Sequence, residues 1–185
     1  MEVMLADPAG WPEAIGVIGA QAVICALGTT WRQSGRSEKE FRAVDHDLVL
    51  DVARTARANG ADRFVLVSSV GASAGARAFY LRTKGEVEEA LGKMRFRRLD
   101  ILRPGLLVGE READRRIAER LGMLASPLAN LFLHGERRKY RGISADTVAA
   151  AALQVAREKA AGRFVHHNDD LARLASRLDR TASPV

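Results

Sequence analysis

The chain's 185 residues are 47% hydrophobic and 28% charged, with 16 Gly and 5 Pro, which suits one compact domain and excludes collagen-like, mucin-like and disordered chains. No apolar run approaches the ~20 residues of a membrane-spanning helix, and Asp7, Pro8 and Gly10 follow too soon for a secretory signal. A single cysteine, Cys25, forms neither an internal disulfide nor a Cys-based zinc site, so the expectation is a soluble protein of the reducing cytoplasm with no membrane partner.

The net charge of +6 raises nucleic acid as a partner. The basic stretch from Arg111 to Arg120 is interleaved with Glu112, Asp114 and Glu119, as on a solvated helix face. Aromatics are only 5%, and neither a helix-turn-helix pattern nor zinc-finger spacing occurs, so nucleic acid is not the expected partner.

In chain order, short apolar runs at Val3–Leu5 and Ala22–Leu27 predict buried strands. Ser37 then opens a long helix with Phe41, Val44, Leu48, Val52 and Ala56 on one face, ending near Asn59-Gly60. Phe64–Val67 predicts a strand, Phe79–Lys93 a helix with Leu81, Val87 and Leu91 inward, and Leu99–Leu102 another strand. A helix follows around Glu112–Leu121, and one at Ala145–Ala156 after a Ser144 cap, with Asp146 as a helix-start residue. Arg163–His166 predicts a weaker strand and Leu171–Leu178 a terminal helix. Such alternation predicts a doubly wound α/β fold with a parallel sheet.

Three of these strands end in small or polar residues: Gly28-Thr29-Thr30, Ser68-Ser69 and Arg103-Pro104-Gly105. Ligands of open α/β sheets bind beyond the carboxyl ends of the strands, where glycine admits close approach and hydroxyls supply hydrogen bonds. Ordinary turns favour the same residues, so the three ends argue for a site only together. The sharper feature is Tyr80-Leu81-Arg82-Thr83-Lys84, whose four-residue spacing puts Tyr80 and Lys84 on one helix face. A nearby ammonium favours the phenolate, which makes Tyr80 a candidate acid/base at a carbonyl or alcohol oxygen. Ser69, at a strand end, could hydrogen-bond that oxygen. The four histidines lack the companions of a metal site, and no metal is expected. Arg103 reads as an ion-paired arginine at the sheet rim.

The runs Phe64-Val-Leu-Val-Ser-Ser, Tyr80-Leu-Arg-Thr-Lys-Gly-Glu-Val-Glu and Leu102-Arg-Pro-Gly resemble a short-chain dehydrogenase/reductase of the atypical, NAD(P)-binding kind. Within it, the chain looks most like the Tat-interacting-protein-like oxidoreductase branch. The resemblance implies a Rossmann-like sheet and an NAD(P)-dependent oxidoreductase, with NADP, or else NAD, as cofactor and a small carbonyl or alcohol compound as substrate. It makes Tyr80 the acid/base, with Lys84 tuning it and holding the nicotinamide ribose, and Ser69, ahead of Ser68, orienting the carbonyl. Leu27, Gly28 and Thr29 would lie along the cofactor, Pro104 and Gly105 near the nicotinamide, and Asp7 at the adenine. Residues 1–185 read as one domain, of which about 106–143 contribute a small C-terminal substrate lobe. The alternative is a non-catalytic dinucleotide-sensing or protein-interaction module that keeps the fold.

One departure from that family is large. No Gly-x-x-Gly-x-x-Gly phosphate loop occurs, and by the resemblance the sequence starts at the third strand, so it reads as N-terminally truncated. The strand order 3-2-1-4-5-6 would put the missing strands beside Ala22–Leu27, leaving an apolar edge that favours a homo-oligomer.

Overall fold

The computed structural model describes residues 10–108 and 142–182. Its elements in chain order are α1 (Trp11–Ile18), β1 (Ala22–Cys25), α2 (Glu38–Arg42), a π-helical segment (Ala43–Leu48), α3 (Val49–Ala58), β2 (Arg63–Val67) and α4 (Phe79–Lys93). There follow β3 (Arg98–Leu102), β4 (Leu107–Val108), β5 (Ile143–Ser144), α5 (Ala145–Arg157), β6 (Gly162–His166) and α6 (Asn168–Ala182). The main sheet has the order β1-β2-β3-β6 and is parallel throughout, with Cys25 opposite Leu66, Leu66 opposite Ile101 and Leu102 opposite His166. Leu107 and Val108 pair with Ile143 and Ser144 in a second, two-stranded parallel sheet.

The pleat of the strands divides the core in two. Phe64, Leu66, Leu99 and Ile101 turn to the face covered by α1, α3 and α4, where Val49, Ala53, Ala56, Val87 and Leu91 meet them. Val65 and Leu102 turn to the other face, against Val148, Ala151, Ala152, Val155, Leu171 and Leu174 of α5 and α6. This is a doubly wound, Rossmann-like sheet with helices on both faces. The small residues of α5 let that helix lie close to the strands. Charge also enters the sheet: Arg98 grips Asp100 at 2.6 and 2.9 Å, Asp100 meets His166 Nε2 at 2.8 Å, and the Arg98 guanidinium lies over the Phe164 ring at 4.3 Å. Every member has a partner, as burial in a low dielectric demands.

α4 spans the residues the sequence predicts. Ser144 caps α5 by accepting the N–H of Thr147, with Asp146 in the first turn. α6 is longer than predicted, starting at Asn168, and β1 stops at Cys25 instead of Leu27. α1 was not predicted: Pro12 near its start and the left-handed Gly19 at its end are ordinary helix signals around a short apolar stretch. Ser37 caps a helix as expected, through the N–H of Glu40. That helix is not a regular one, because the π-helical Ala43–Leu48 segment shifts its inward face. Phe41, Asp45, Val49, Val52 and Ala56 are buried, whereas Val44 and Leu48 are only half-buried. The predicted strand at Val3–Leu5, the helix around Glu112–Leu121 and most of the 106–143 lobe lie outside the described residues.

Candidate active site

Because the main sheet is parallel, the segments after β1, β2 and β3 emerge at one end, and the first turns of α4 lie there too. Tyr80 and Lys84 share a face of that helix but differ in surroundings. Tyr80 is 42% exposed, its ring edge-on to Phe41 with centroids 5.7 Å apart. Phe79 beside it packs edge-on against Phe41 and Trp31, which fixes the helix start against α2. Lys84 is 5% exposed, and its Nζ lies 2.7 Å from Oδ1 of Asp45, itself 1% exposed. Oδ2 of Asp45 accepts the N–H of Thr29 at 2.7 Å. Oδ1 takes no hydrogen bond of good geometry, so the contact with the ammonium is Coulombic.

Gly28 lies against this pair. A Cβ there would stand 3.3 Å from Asp45 Oδ1 and 3.6 Å from Lys84 Nζ, so any side chain at this position would press on the pair. Gly28 is exposed, Thr29 half-buried, and Leu27 packs on the core with its neighbours. The structure thus brings Gly28, Thr29 and Lys84 together. Asp7 lies outside the described residues.

The two serines separate clearly. Ser68 is buried and donates its hydroxyl to Glu88 Oε1 at 2.6 Å, so it is committed to structure. Ser69 is half-buried, and its hydroxyl makes only a long 3.4 Å contact with the Val70 carbonyl, leaving it able to turn toward a ligand. Past β3, Arg103 forks onto Glu88 through Nε at 3.0 Å and Nη2 at 2.5 Å, an ion pair at the sheet rim as predicted. The Pro104 carbonyl accepts the N–H of Val70 at 2.9 Å, and the Gly105 N–H donates to Asn168 Oδ1 at 2.8 Å. A cleft opens beside this loop, lined by Ile143, Ser144, Thr147, Asn168 and Ala172.

Two charged residues central to this site were missed in the sequence: Asp45 and Glu88. Asp45 follows Phe41 by four and precedes Val49 by four, so a carboxylate on an otherwise apolar stripe was the available signal. Glu88 follows Lys84 by four on the same face. Cys25 is an inert, buried thiol: burial pushes it above the ordinary thiol range against smaller opposing pulls from the Leu27 backbone and the Lys84 charge. Among the described residues no group of three or more His, Cys, Asp or Glu side chains is disposed to hold a metal.

The residues present fit the nicotinamide-ribose half of a dinucleotide: an open glycine backbone beside a lysine, an exposed phenol, a free serine hydroxyl and a Pro-Gly turn. Among the described residues nothing offers the glycine-rich cradle that a pyrophosphate requires.

Comparison with known proteins bears on the family and the fold. A family model described as HIM1 matches residues 14–136. The mitochondrial protein FMP52 of Candida albicans is 30% identical over 181 residues, covering 94% of this chain and 77% of that protein. FMP52 of Eremothecium gossypii is 42% identical over 106 residues, and FMP52-1 of Scheffersomyces stipitis 37% over 141, and both are named mitochondrial. Those two alignments cover 57% and 74% of this chain but only 46% and 59% of the relatives, so the chain spans about half the length of curated proteins it matches.

Among solved structures, UDP-glucose 4-epimerase of Thermotoga maritima, with UDP-glucose, superposes with a TM-score of 0.61 at 16% identity, covering 97% of this chain and 68% of that one. A short-chain dehydrogenase/reductase superfamily protein of Agrobacterium tumefaciens, with bound NAD, gives 0.59 at 17% identity, covering 95% and 69%. At such identities the likeness establishes the fold alone. Two expectations are corrected. The family match is to HIM1 and not to the Tat-interacting-protein-like branch. The cytoplasmic assignment is overturned by the mitochondrial names of relatives 30 to 46% identical, since a lone cysteine reports a reducing environment and not an address.

Proposed function

The chain belongs to the HIM1 family, and from the geometry of its site we propose that it binds a nicotinamide dinucleotide and serves hydride transfer to or from a carbonyl or alcohol carbon. The observation that carries this reading is an exposed tyrosine one turn before a buried lysine, in the first turns of the helix that starts at the strand ends. A bound nicotinamide would supply or accept the hydride. The chain's own residues would do the rest. Ser69 would hold the substrate oxygen by its hydroxyl. Tyr80, an exposed phenol, would give its proton to that oxygen in reduction and take it back in oxidation. Lys84, with Asp45 behind it, would offer its ammonium to the ribose hydroxyls beside the bare Gly28 backbone. Leu27 and Thr29 would flank the cofactor, and Pro104-Gly105 would border the nicotinamide.

The resemblance to short-chain dehydrogenases favours NADP over NAD, and a small carbonyl or alcohol compound as substrate. The mitochondrial names of the relatives support a mitochondrial location for this chain too. A second reading, a module that binds a dinucleotide without turning it over, is favoured by one observation: the Lys84 charge is already met by Asp45.

Titration of the folded protein with NADPH and NADH, followed by cofactor fluorescence, tests the binding. Saturation in the micromolar range, with consumption of NADPH on a carbonyl panel and loss of that consumption in Tyr80→Phe, is the expected outcome. Unchanged turnover in Tyr80→Phe refutes the proton role, and binding without any consumption selects the second reading.

A further inference from the structure

We infer that Glu88 is a positioning residue, which holds three separate parts of the site in register for the nicotinamide end of the cofactor; the inference rests on the dinucleotide reading above. Glu88 is 1% exposed and lies on α4 one turn beyond Lys84. Its Oε1 accepts the Ser68 hydroxyl at 2.6 Å and Arg103 Nε at 3.0 Å, while Oε2 accepts Arg103 Nη2 at 2.5 Å. One carboxylate therefore joins the helix bearing Tyr80 and Lys84 to the end of β2 and to the end of β3.

Ser68 is buried, and the Arg103 guanidinium is turned onto Glu88. Ser68 immediately precedes Ser69, and Arg103 immediately precedes Pro104-Gly105. Backbone bonds pass the restraint onward: Ser68 N–H to the Leu102 carbonyl at 2.8 Å, Val70 N–H to the Pro104 carbonyl at 2.9 Å, and Arg103 N–H to the His166 carbonyl at 2.8 Å. A buried ion pair is a weak source of stability, because desolvation offsets most of the attraction. A planar fork with a third donor on the same carboxylate is, by contrast, a strict geometric constraint. Its return is a fixed distance between the phenol, the serine hydroxyl and the Pro-Gly turn, and such distances decide how well a nicotinamide is oriented.

The test compares probes with and without the nicotinamide: NADPH against 2′-phospho-ADP-ribose, and NADH against ADP-ribose. Titrations are run on the wild-type chain and on Glu88→Gln, Arg103→Lys and Ser68→Ala. Glu88→Gln should weaken NADPH binding about tenfold, the scale of one charge-assisted hydrogen bond, and leave 2′-phospho-ADP-ribose within about twofold. Arg103→Lys and Ser68→Ala, which each remove only part of the network, should move affinity the same way by less. They carry the test if Glu88→Gln does not fold. Equal losses for both probes would mean a general structural role and overturn the inference, as would variants that bind NADPH like the wild type. Failure of the wild-type chain to bind any of the four probes would overturn the dinucleotide reading itself, a result read before any variant is made.

Discussion

Lys84 and Asp45 are 5% and 1% exposed, and each is the other's counter-charge at 2.7 Å. Removing one member of such a pair strands the other in a medium that cannot solvate it. Asp45→Ala should therefore cost about 3–5 kcal/mol, more than a surface ion pair contributes. Asp45→Asn/Lys84→Met, which removes both charges and keeps an acceptor for the Thr29 N–H, should recover most of that loss. Urea unfolding of the single and double variants measures the coupling, and additive losses would show that the two groups do not depend on each other. The Arg42–Glu86 pair sets the contrast. At 2.6 Å it is just as short, but its side chains are 36% and 31% exposed, so its loss should be barely detectable.

At the level of elements, the sequence was most legible where one physical signal dominated. α4 has strong helix formers and an inward Val87 and Leu91, and its bounds came out as predicted. The segment before it was less legible, because one π-helical turn carries no composition signal yet changes which of its residues face inward, while Val52 and Ala56 beyond it are buried as predicted. The stripe read as Phe41, Val44 and Leu48 became Phe41, Asp45 and Val49. The glycine after Lys84 also has a reason that only packing reveals. A Cβ on Gly85 would stand 2.1 Å from the carbonyl carbon of Ser73 and 2.2 Å from the Ala74 nitrogen, and backbone cannot step aside like a side chain. Gly85→Ala should cost about 1–3 kcal/mol despite the better helix propensity of alanine, as thermal unfolding would show; a stabilised variant would contradict this packing.

The start of α6 gives the pH dependence its sign. Burial raises the Asp170 carboxyl, but the His167 N–H at 3.1 Å and the Arg173 guanidinium outweigh it, so the group sits below its ordinary value. A carboxyl held lower in the folded state stabilises above its unfolded value, near 4, and loses that contribution as pH falls through its folded one. Asp170→Asn should thus be less stable than the wild type at pH 7, and the gap should close as pH falls through the carboxyl's lowered folded value. A gap that persists in acid would mean that the carboxylate charge is not its source.

For the whole molecule, the architecture was legible because parallel strands buried on both faces read as apolar runs, and helices between them fix the parallel order. The resemblance pointed to an apolar edge at Ala22–Leu27. Among the described strands β1 pairs with β2 alone, as β6 does with β3 alone, and Ile24 on β1 is 38% exposed. An open edge with apolar side chains is a template for pairing with another chain, and a charge on it is the usual protection. Ile24 sits opposite Val65 in register but is not part of either buried core, so a lysine there should add charge at little cost in packing. Ile24→Lys should lower light scattering and shift gel-filtration elution toward the monomer at matched concentration, with the unfolding midpoint within a few degrees of the wild type, as expected of a change that costs under about 1 kcal/mol. If the variant and the wild type elute and scatter alike, the β1 edge is not a surface of self-association.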